Sequence, residues 1–396
     1  MVSLTDARAL IAKNISPLRA TVSPLMQALG RVLRQDAVAR EDLPAFDRSA
    51  MDGYAVAAGD KSEKFRIVGE IQPGVAPKIK IRRGECARIF TGAQIPAGAS
   101  QVLMQESVRV EGSFIAPLEK SRETHICRRG EDARKGEVLL QSGTRLGTGD
   151  LALLASLGVT QPKVSVPVRV AHFATGNELV APDKKLKPGQ IRDSNSTLVA
   201  AFVRQFGGEI VRQERVVDDF DMLLKRARAL KDSFDLLLLS GGASVGEYDF
   251  GKKLLTILGF KTHFTAVNLR PGRPLVFATR GSKAAFILPG NPLSHFVTLH
   301  VAVRLALEKF AGASESWPLA RMRLAGKFES KPGGRETFWP TRVEIRNGGL
   351  VARPLRWQSS GDVTALGGAN ALLQLPAGAR PPRSGEDVAV LMLEVP

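Results

Sequence analysis

Cysteine is nearly missing from this chain of 396 residues: Cys86 and Cys127 are the only two, and neither belongs to a CxxC pair or a metal-finger spacing. A disulfide framework and a zinc ribbon are therefore excluded, and a reducing cytoplasmic setting is expected. Long apolar runs are missing as well, so no stretch reaches the length of a bilayer span. The opening residues, MVSLTDARALIAKNISPLR, alternate polar and apolar side chains at helical spacing where a secretory leader would carry a continuous apolar core. The five histidines form no HExxH arrangement, and His295 and His300 fall in a mostly apolar helix, where packing is their expected part. No Ser-His-Asp or Cys-His signature stands out, which disfavours a covalent nucleophile. Neither a fixed-period repeat nor a low-complexity tract interrupts the chain. What is left is an ordinary globular composition, 44% apolar and 24% charged, with enough length for two to four domains.

The formal net charge is +17. Such an excess invites a nucleic-acid reading, because Lys and Arg neutralising phosphates supply most of that affinity. The excess is dispersed, however. The densest basic clusters, IKIRRG at 79–84 and CRRGEDARKG at 127–136, offer no interleaved aromatics for base stacking, and the second contains acids. A solvated surface, or steering of a small anionic ligand, is the simpler reading, with no membrane and no specific nucleic acid as partner.

Apolar periodicity predicts two short helices near Thr5–Lys13 and Ser23–Leu29, the second stopped by Gly30. From about Asp47 to Arg134, β-like runs such as FRIVGEI, CARIFTG and SQVLMQESVRV alternate with Gly and Pro, which predicts an all-β insertion. TGDLALLASLGV at 148–159 returns to a helical pattern. Beyond Pro162, strand and helix patterns alternate to about Gly312, from VRVAHFAT to a long helix starting near Pro292. That alternation predicts a parallel or mixed sheet with helices on both faces. The remaining residues read as short strands, suited to a small barrel or sandwich.

In open α/β sheets ligands bind beyond the carboxyl ends of the strands. Three strand patterns here end in unusual loops: VRVAHFA in TGNE, DLLLLS in GGASVGEYD, and AAFIL in PGNP. If these strands are neighbours, Thr175, Gly176, Glu178, Gly241, Gly242, Ser244, Asp249, Pro289, Gly290 and Asn291 line one site. Paired glycines let backbone amides approach an anion, and Ser240 and Ser244 add hydroxyls, so phosphate binding is chemically sensible. A tight strand-to-helix turn would use the same residues, and the loop is neither a Walker loop nor a GxGxxG turn. In LRPGRP, Pro271 and Pro274 restrict the backbone around Arg270 and Arg273, whose guanidinium forks suit phosphate or a tetrahedral oxyanion such as molybdate. Asp52, Asp132, Glu178, Asp218 and Asp249 fall in polar or Gly-containing loops, a composition that can hold Mg²⁺ against phosphate or serve only as caps and surface acids. The stretch FDRSAMDGYAV, at 46–56, has no helical stripe and reads as a surface segment bent at Gly53.

Taken together, FDRSAMDGYAV, RIFTGAQIPAGASQVLMQE, RRGEDARKGE, ATGNEL, GQIRDSNS, LSGGASVGEYDF, RPGRP and LPGNPLS resemble, in order and spacing, the molybdopterin molybdenumtransferase (MoeA) family, which includes the gephyrin E domain. The resemblance spans nearly the whole chain. It implies an α/β multidomain subunit in four parts. These are an elongated helical linker domain at 1–46 plus 136–165, a β-rich insertion at 47–135, a three-layer α/β molybdopterin-binding domain at 166–312, and a C-terminal β-barrel at 313–396. It implies a homodimer whose site is built where subunits meet. The implied reaction takes adenylylated molybdopterin and molybdate, uses a divalent cation such as Mg²⁺, hydrolyses the anhydride and releases AMP. Molybdopterin adenylyltransferase and recipient molybdoenzymes are the implied protein partners. Asp52, Thr91, Asp132, Glu178 and Asp249 match the family's catalytic positions, with Glu178 and Asp249 as cation ligands. Asp218, Pro289, Pro292 and Ser360 match family positions and, together with Ser240, Gly241, Gly242, Ser244, Arg270, Arg273 and Asn291, are the expected substrate-binding residues. Two departures stand out: arginines replace the usual lysines at Arg270 and Arg273, and Asn177 stands where aspartate is common. A non-catalytic dimeric scaffold of the gephyrin type is the alternative the same resemblance allows.

Overall fold

The computed structural model describes residues 1–119, 122–241, 250–314, 317–328, 333–346 and 348–393. The chain divides into two compact units, the first made of Met1–Gln35, Ser142–Leu151 and Thr160–Pro396, the second of Asp36–Gln141 and Ala152–Val159.

In the first unit a six-stranded mixed sheet is built from β1 (Val168–Thr175), β2 (Gly208–Val216), β3 (Leu236–Ser240), β4 (Lys261–Phe264), β5 (Val276–Arg280) and β6 (Lys283–Leu288). Its order is β2-β1-β3-β6-β5-β4. The first four run parallel, β5 turns back antiparallel to β6, and β4 at the edge pairs antiparallel to β5. Apolar runs such as LLLL in β3 are what a strand covered on both faces requires. Leu236 and Leu238 pack with Leu4–Asn14, Ser194–Gln205 and the helix that begins at Pro292; Leu237 and Leu239 pack on the opposite face with Phe220–Ala229 and Phe250–Ile257. Each fully buried leucine contributes about 1.5–3 kcal/mol. Asp193 and Asp219 cap their helices by accepting from the amides of Ser196 and Met222 at 2.9 and 2.8 Å. The helix from Pro292 is α-helical over Pro292–Thr298 and Arg304–Ala311, with a π-helical segment, Leu299–Val303, between.

The C-terminal strands settle barrel against sandwich. Strands β7 (Leu319–Leu324), β8 (Glu336–Arg346), β9 (Gly349–Pro354), β10 (Ala371–Leu375) and β11 (Asp387–Met392) pair as β8-β9-β7-β11-β10, and β10 pairs with β8, closing the ring. Closure leaves no free edge. Leu324, Trp339, Leu373 and Val390 fill it.

The second unit carries a six-stranded sheet, in the order Gln101–Met104, Gly53–Val56, Glu85–Ile89, Phe65–Ile71, Phe114–Pro117, Val108–Glu111. This is the β-rich insertion the Gly/Pro punctuation suggested. Gly53–Val56 is buried throughout and paired on both sides, so the expected surface bend at Gly53 is instead the start of an interior strand. The expected helix over Ser23–Leu29 shrinks to a 3₁₀ turn, Leu25–Ala28, because only Ala28 of it is buried and no side chain caps it. Among the described residues, no helix is long and apolar enough to cross a membrane.

Candidate active site

The chain order of the parallel strands creates the site. β1 connects outward to β2, and the path then returns to place β3 on the other side of β1, so the loops leaving β1 and β3 diverge and a crevice opens above their carboxyl ends. A cleft of about 690 Å³ lies there, lined by Thr175, Gly176 and Glu178 after β1, Ser240 and Gly241 after β3, and Pro289 to Pro292 after β6. The described residues of the three loops that the sequence singled out, for the second only Ser240 and Gly241, thus line one cleft.

Local contacts hold each loop. Gly241 has φ +92°, and a Cβ there would lie 2.7 Å from the Thr175 carbonyl oxygen, so only glycine lets the β3 loop pass this close to the β1 loop. The Glu178 carboxylate folds over Gly176, where a Cβ would meet both its oxygens at 2.8 Å. Asn177 Oδ1 accepts from the Asp218 amide at 3.1 Å, which ties the TGNE turn to the turn after β2 and brings Asp218 to the cleft wall. An aspartate could accept that bond equally, so the departure at Asn177 preserves this contact. Asn195 Nδ2 donates to the Gly290 carbonyl at 2.7 Å, and its Oδ1, like Thr175 Oγ1, is buried without a partner among the described residues. Two unsatisfied polar groups at a cleft wall are costly unless a ligand completes them.

A second hollow, about 520 Å³, is lined by Arg270, Arg273, Ser294, Arg335, Trp357 and Ser360. It shares Pro274, Pro289 and Asn291 with the cleft, so the two have a common wall. Within LRPGRP, the Val267 amide donates to the Arg273 carbonyl at 3.0 Å, and Gly272 has φ +108°, with space for a Cβ blocked by Thr298 Cγ2 at 2.7 Å. The Arg270 guanidinium lies 5.2 Å from the Trp357 ring. Asn291 Nδ2 donates to Ser360 Oγ at 2.9 Å, and the Leu293 amide donates to the Ser360 carbonyl at 3.1 Å, which anchors the Ser360 loop to the start of the Pro292 helix.

Of the remaining expected site residues, Gly242, Ser244 and Asp249 lie outside the described residues. Asp52, Thr91 and Asp132 belong to the second unit. There Asp52 Oδ1 accepts from the Thr91 amide at 2.7 Å and from Thr91 Oγ1 at 2.8 Å. These donors, the amide first, hold the Asp52 carboxyl below the usual carboxylate range. Asp132 pairs with Arg48 at 3.7 Å. Sequence reasoning missed Arg335 and Asn195. Arg335 follows Gly333–Gly334 in an otherwise unmarked stretch, and only the fold brings it beside Arg270 and Arg273. Asn195 was visible within GQIRDSNS, but as part of a helix start.

An α/β protein with an inserted β unit, a closed C-terminal barrel and a cleft at the carboxyl ends of its parallel strands is the class these features define. Family models match in the same layout: MoeA N-terminal region (domain I and II) over residues 2–158, probable molybdopterin binding domain over 171–309, and MoeA C-terminal region (domain IV) over 321–393. A molybdopterin molybdenumtransferase of Nostoc sp. is 35% identical over 399 residues, covering 98% of this chain and 92% of its own length. One from Staphylococcus epidermidis is 29% identical and covers 99% and 96%. The crystal structure of the molybdopterin biosynthesis moeA protein from Pyrococcus horikoshii OT3 superposes with a TM-score of 0.85 at 30% identity, over 99% of this chain and all of the other. The chain belongs to the MoeA family of molybdopterin molybdenumtransferases.

Proposed function

We propose that this protein is the transferase of molybdenum cofactor biosynthesis that inserts molybdate into adenylylated molybdopterin, with hydrolysis of the phosphoanhydride and release of AMP. The observation that carries this reading is the pair of hollows with a common wall. One is a roomy cleft of backbone turns, amides and hydroxyls suited to a phosphate-bearing ligand; the other is a smaller, arginine-lined hollow suited to a tetrahedral oxyanion. Molybdate held by Arg270, Arg273 and Arg335 would sit next to the reacting end of a substrate in the cleft. Such proximity turns an encounter of two anions into a positioned step, with the guanidinium charges offsetting their repulsion.

Among the described residues no three acids or histidines gather into a metal cluster. Mg²⁺ needs no such cluster, since it keeps waters and takes one or two carboxylates together with substrate phosphates. Glu178 is exposed on the cleft wall and is, with Asp249, the proposed ligand set; the ion would supply charge neutralisation at the anhydride. Asp218 is proposed to position the substrate. Asp52, held ionised by Thr91, and Asp132 are proposed as further catalytic carboxylates, and the working form as a homodimer.

The test is incubation of purified protein with adenylylated molybdopterin, molybdate and Mg²⁺, following AMP by chromatography. AMP release dependent on the protein is expected, and AMP no higher than in the protein-free control removes the reading.

A further inference from the structure

Beneath the cleft a line of polar groups runs from the Ser196 carbonyl through the side chains of Gln213 and His172, which have no part yet in the reaction, to the Ser240 hydroxyl of the cleft wall. Strand register dictates the order. Parallel pairing sets His172 of β1 beside Gln213 of β2 and Ala174 of β1 beside Ser240 of β3. On one face of the sheet the imidazole therefore reaches Gln213 sideways and Ser240 diagonally. Gln213 Nε2 lies 3.0 Å from His172 Nδ1, and His172 Nε2 lies 2.6 Å from Ser240 Oγ.

The direction of every proton in this line follows from its first member. The Ser196 carbonyl can only accept, and it takes a hydrogen bond from Gln213 Nε2 at 3.0 Å, which fixes the amide nitrogen at that end. The other proton of the same NH₂ group meets His172 Nδ1, so Nδ1 offers its lone pair. A neutral imidazole carries one proton, and here that proton is on Nε2 and is donated to Ser240 Oγ. Burial pushes the His172 pKa down to about 3, which keeps the ring in this neutral form. A serine hydroxyl has a single proton. With an imidazole N–H already donating to it, Ser240 must send its own proton elsewhere, and Ser240 is a buried residue of the cleft wall.

We infer that His172 is a positioning residue which, oriented by Gln213, commits the Ser240 hydroxyl to donate into the cleft, toward an acceptor-only group such as a phosphate oxygen. The inference rests on the cleft being the site of a phosphate-bearing substrate. It adds a donor of fixed polarity at the crevice between β1 and β3, which favours a fully ionised phosphate there over a group that must itself donate.

Two measurements on the full chain test this. In ¹⁵N-histidine-labelled protein, the resonance lost in His172→Gln is expected to report the Nε2–H tautomer; an Nδ1–H tautomer overturns the inference whatever the cleft binds. In calorimetric titration with AMP and with pyrophosphate, His172→Leu is expected to weaken binding roughly tenfold, as for one lost hydrogen bond to a charged group. Ser240→Ala is expected to lose a similar factor, and adding His172→Leu to it is expected to lose nothing more. His172→Gln, whose amide can still donate to Ser240, should restore most of the affinity, and it serves as the folded comparison if His172→Leu melts early. Losses that multiply in the double variant mean a merely structural role and overturn the inference while leaving the cleft assignment intact. Wild-type protein that binds neither probe overturns both.

Discussion

A Cβ on Gly53 would lie 1.9 Å from the Leu103 carbonyl oxygen, closer than any backbone atom can tolerate. Gly53–Val56 is paired on both sides, so the neighbouring strand cannot yield without breaking the ladder. Gly53→Ala is expected to cost about 3 kcal/mol, read as a lower urea midpoint. The adjoining residue behaves differently. Asparagine at position 52 keeps an oxygen for the Thr91 amide and hydroxyl, so Asp52→Asn should unfold within about 0.5 kcal/mol of the parent. If the carboxylate charge is catalytic, AMP release should nonetheless fall by about tenfold or more. In the basic hollow, Arg273→Ala is expected to raise the molybdate concentration for half-maximal rate by about tenfold, and Arg273→Lys by less, because an ammonium keeps the charge and loses the planar fork. The family resemblance flagged the arginines at 270 and 273 as departures; the stacking of Arg270 near Trp357 gives the first of them a contact that a lysine would make differently.

Among the elements, the layer between the sheet and the Pro292 helix has an unusual content: His172, His295 and His300 are all buried. His300 lies in the π-helical segment, against the rings of Phe202 at 5.0 Å and Phe296 at 4.7 Å. His295 donates from Nδ1 to the Pro289 carbonyl at 3.0 Å. Desolvation is the first cause of all three shifts and drives the pKa values to about 3, 4 and 3 for His172, His295 and His300. These folded values are depressed below the ordinary 6.5, so the unfolded chain binds protons first. The stability of the neutral rings is complete above about pH 6.5 and is lost as pH falls toward the folded values. Each ring contributes a slope of about 1.4 kcal/mol per pH unit in that window, so three give about 4. Urea midpoints at pH 7 and pH 5 should differ steeply, and His300→Leu should remove roughly a third of the difference while leaving AMP release unchanged.

The expected helix over Ser23–Leu29 failed for a reason at the same scale. Its apolar spacing satisfied a helical stripe, yet Met26 and Leu29 are exposed, and no packing repays helix formation after Pro24. The strand-helix alternation beyond Pro162 was legible because interior strands such as Leu236–Ser240 had to be apolar on both faces and the helices on one, a constraint written into consecutive residues.

For the whole molecule, the net charge of +17 overstates what a polyanion would meet. Arg31 donates to the Ser165 carbonyl and Arg34 to the carbonyls of Leu18 and Ala311, so these half-buried guanidinium groups are engaged by the chain itself. Basic groups used inside the fold leave a diluted surface, so retention on a DNA column is expected to vanish near physiological salt. The proposed homodimer is checked by light scattering, with a mass twice 42.6 kDa expected and a monomer at every concentration counting against it.

The order of strands and helices, the glycines and prolines that shape the three cleft loops, and the poverty in cysteine were set by the sequence alone, because each depends on neighbours along the chain. Tertiary structure alone decided that Arg335 joins Arg270 and Arg273, that Gly53 is needed for a close backbone approach, and that Gln213, His172 and Ser240 stand in line. Those facts depend on strand register and on contacts between distant segments, and a shift of one residue in pairing would have turned each side chain to the other face of its sheet.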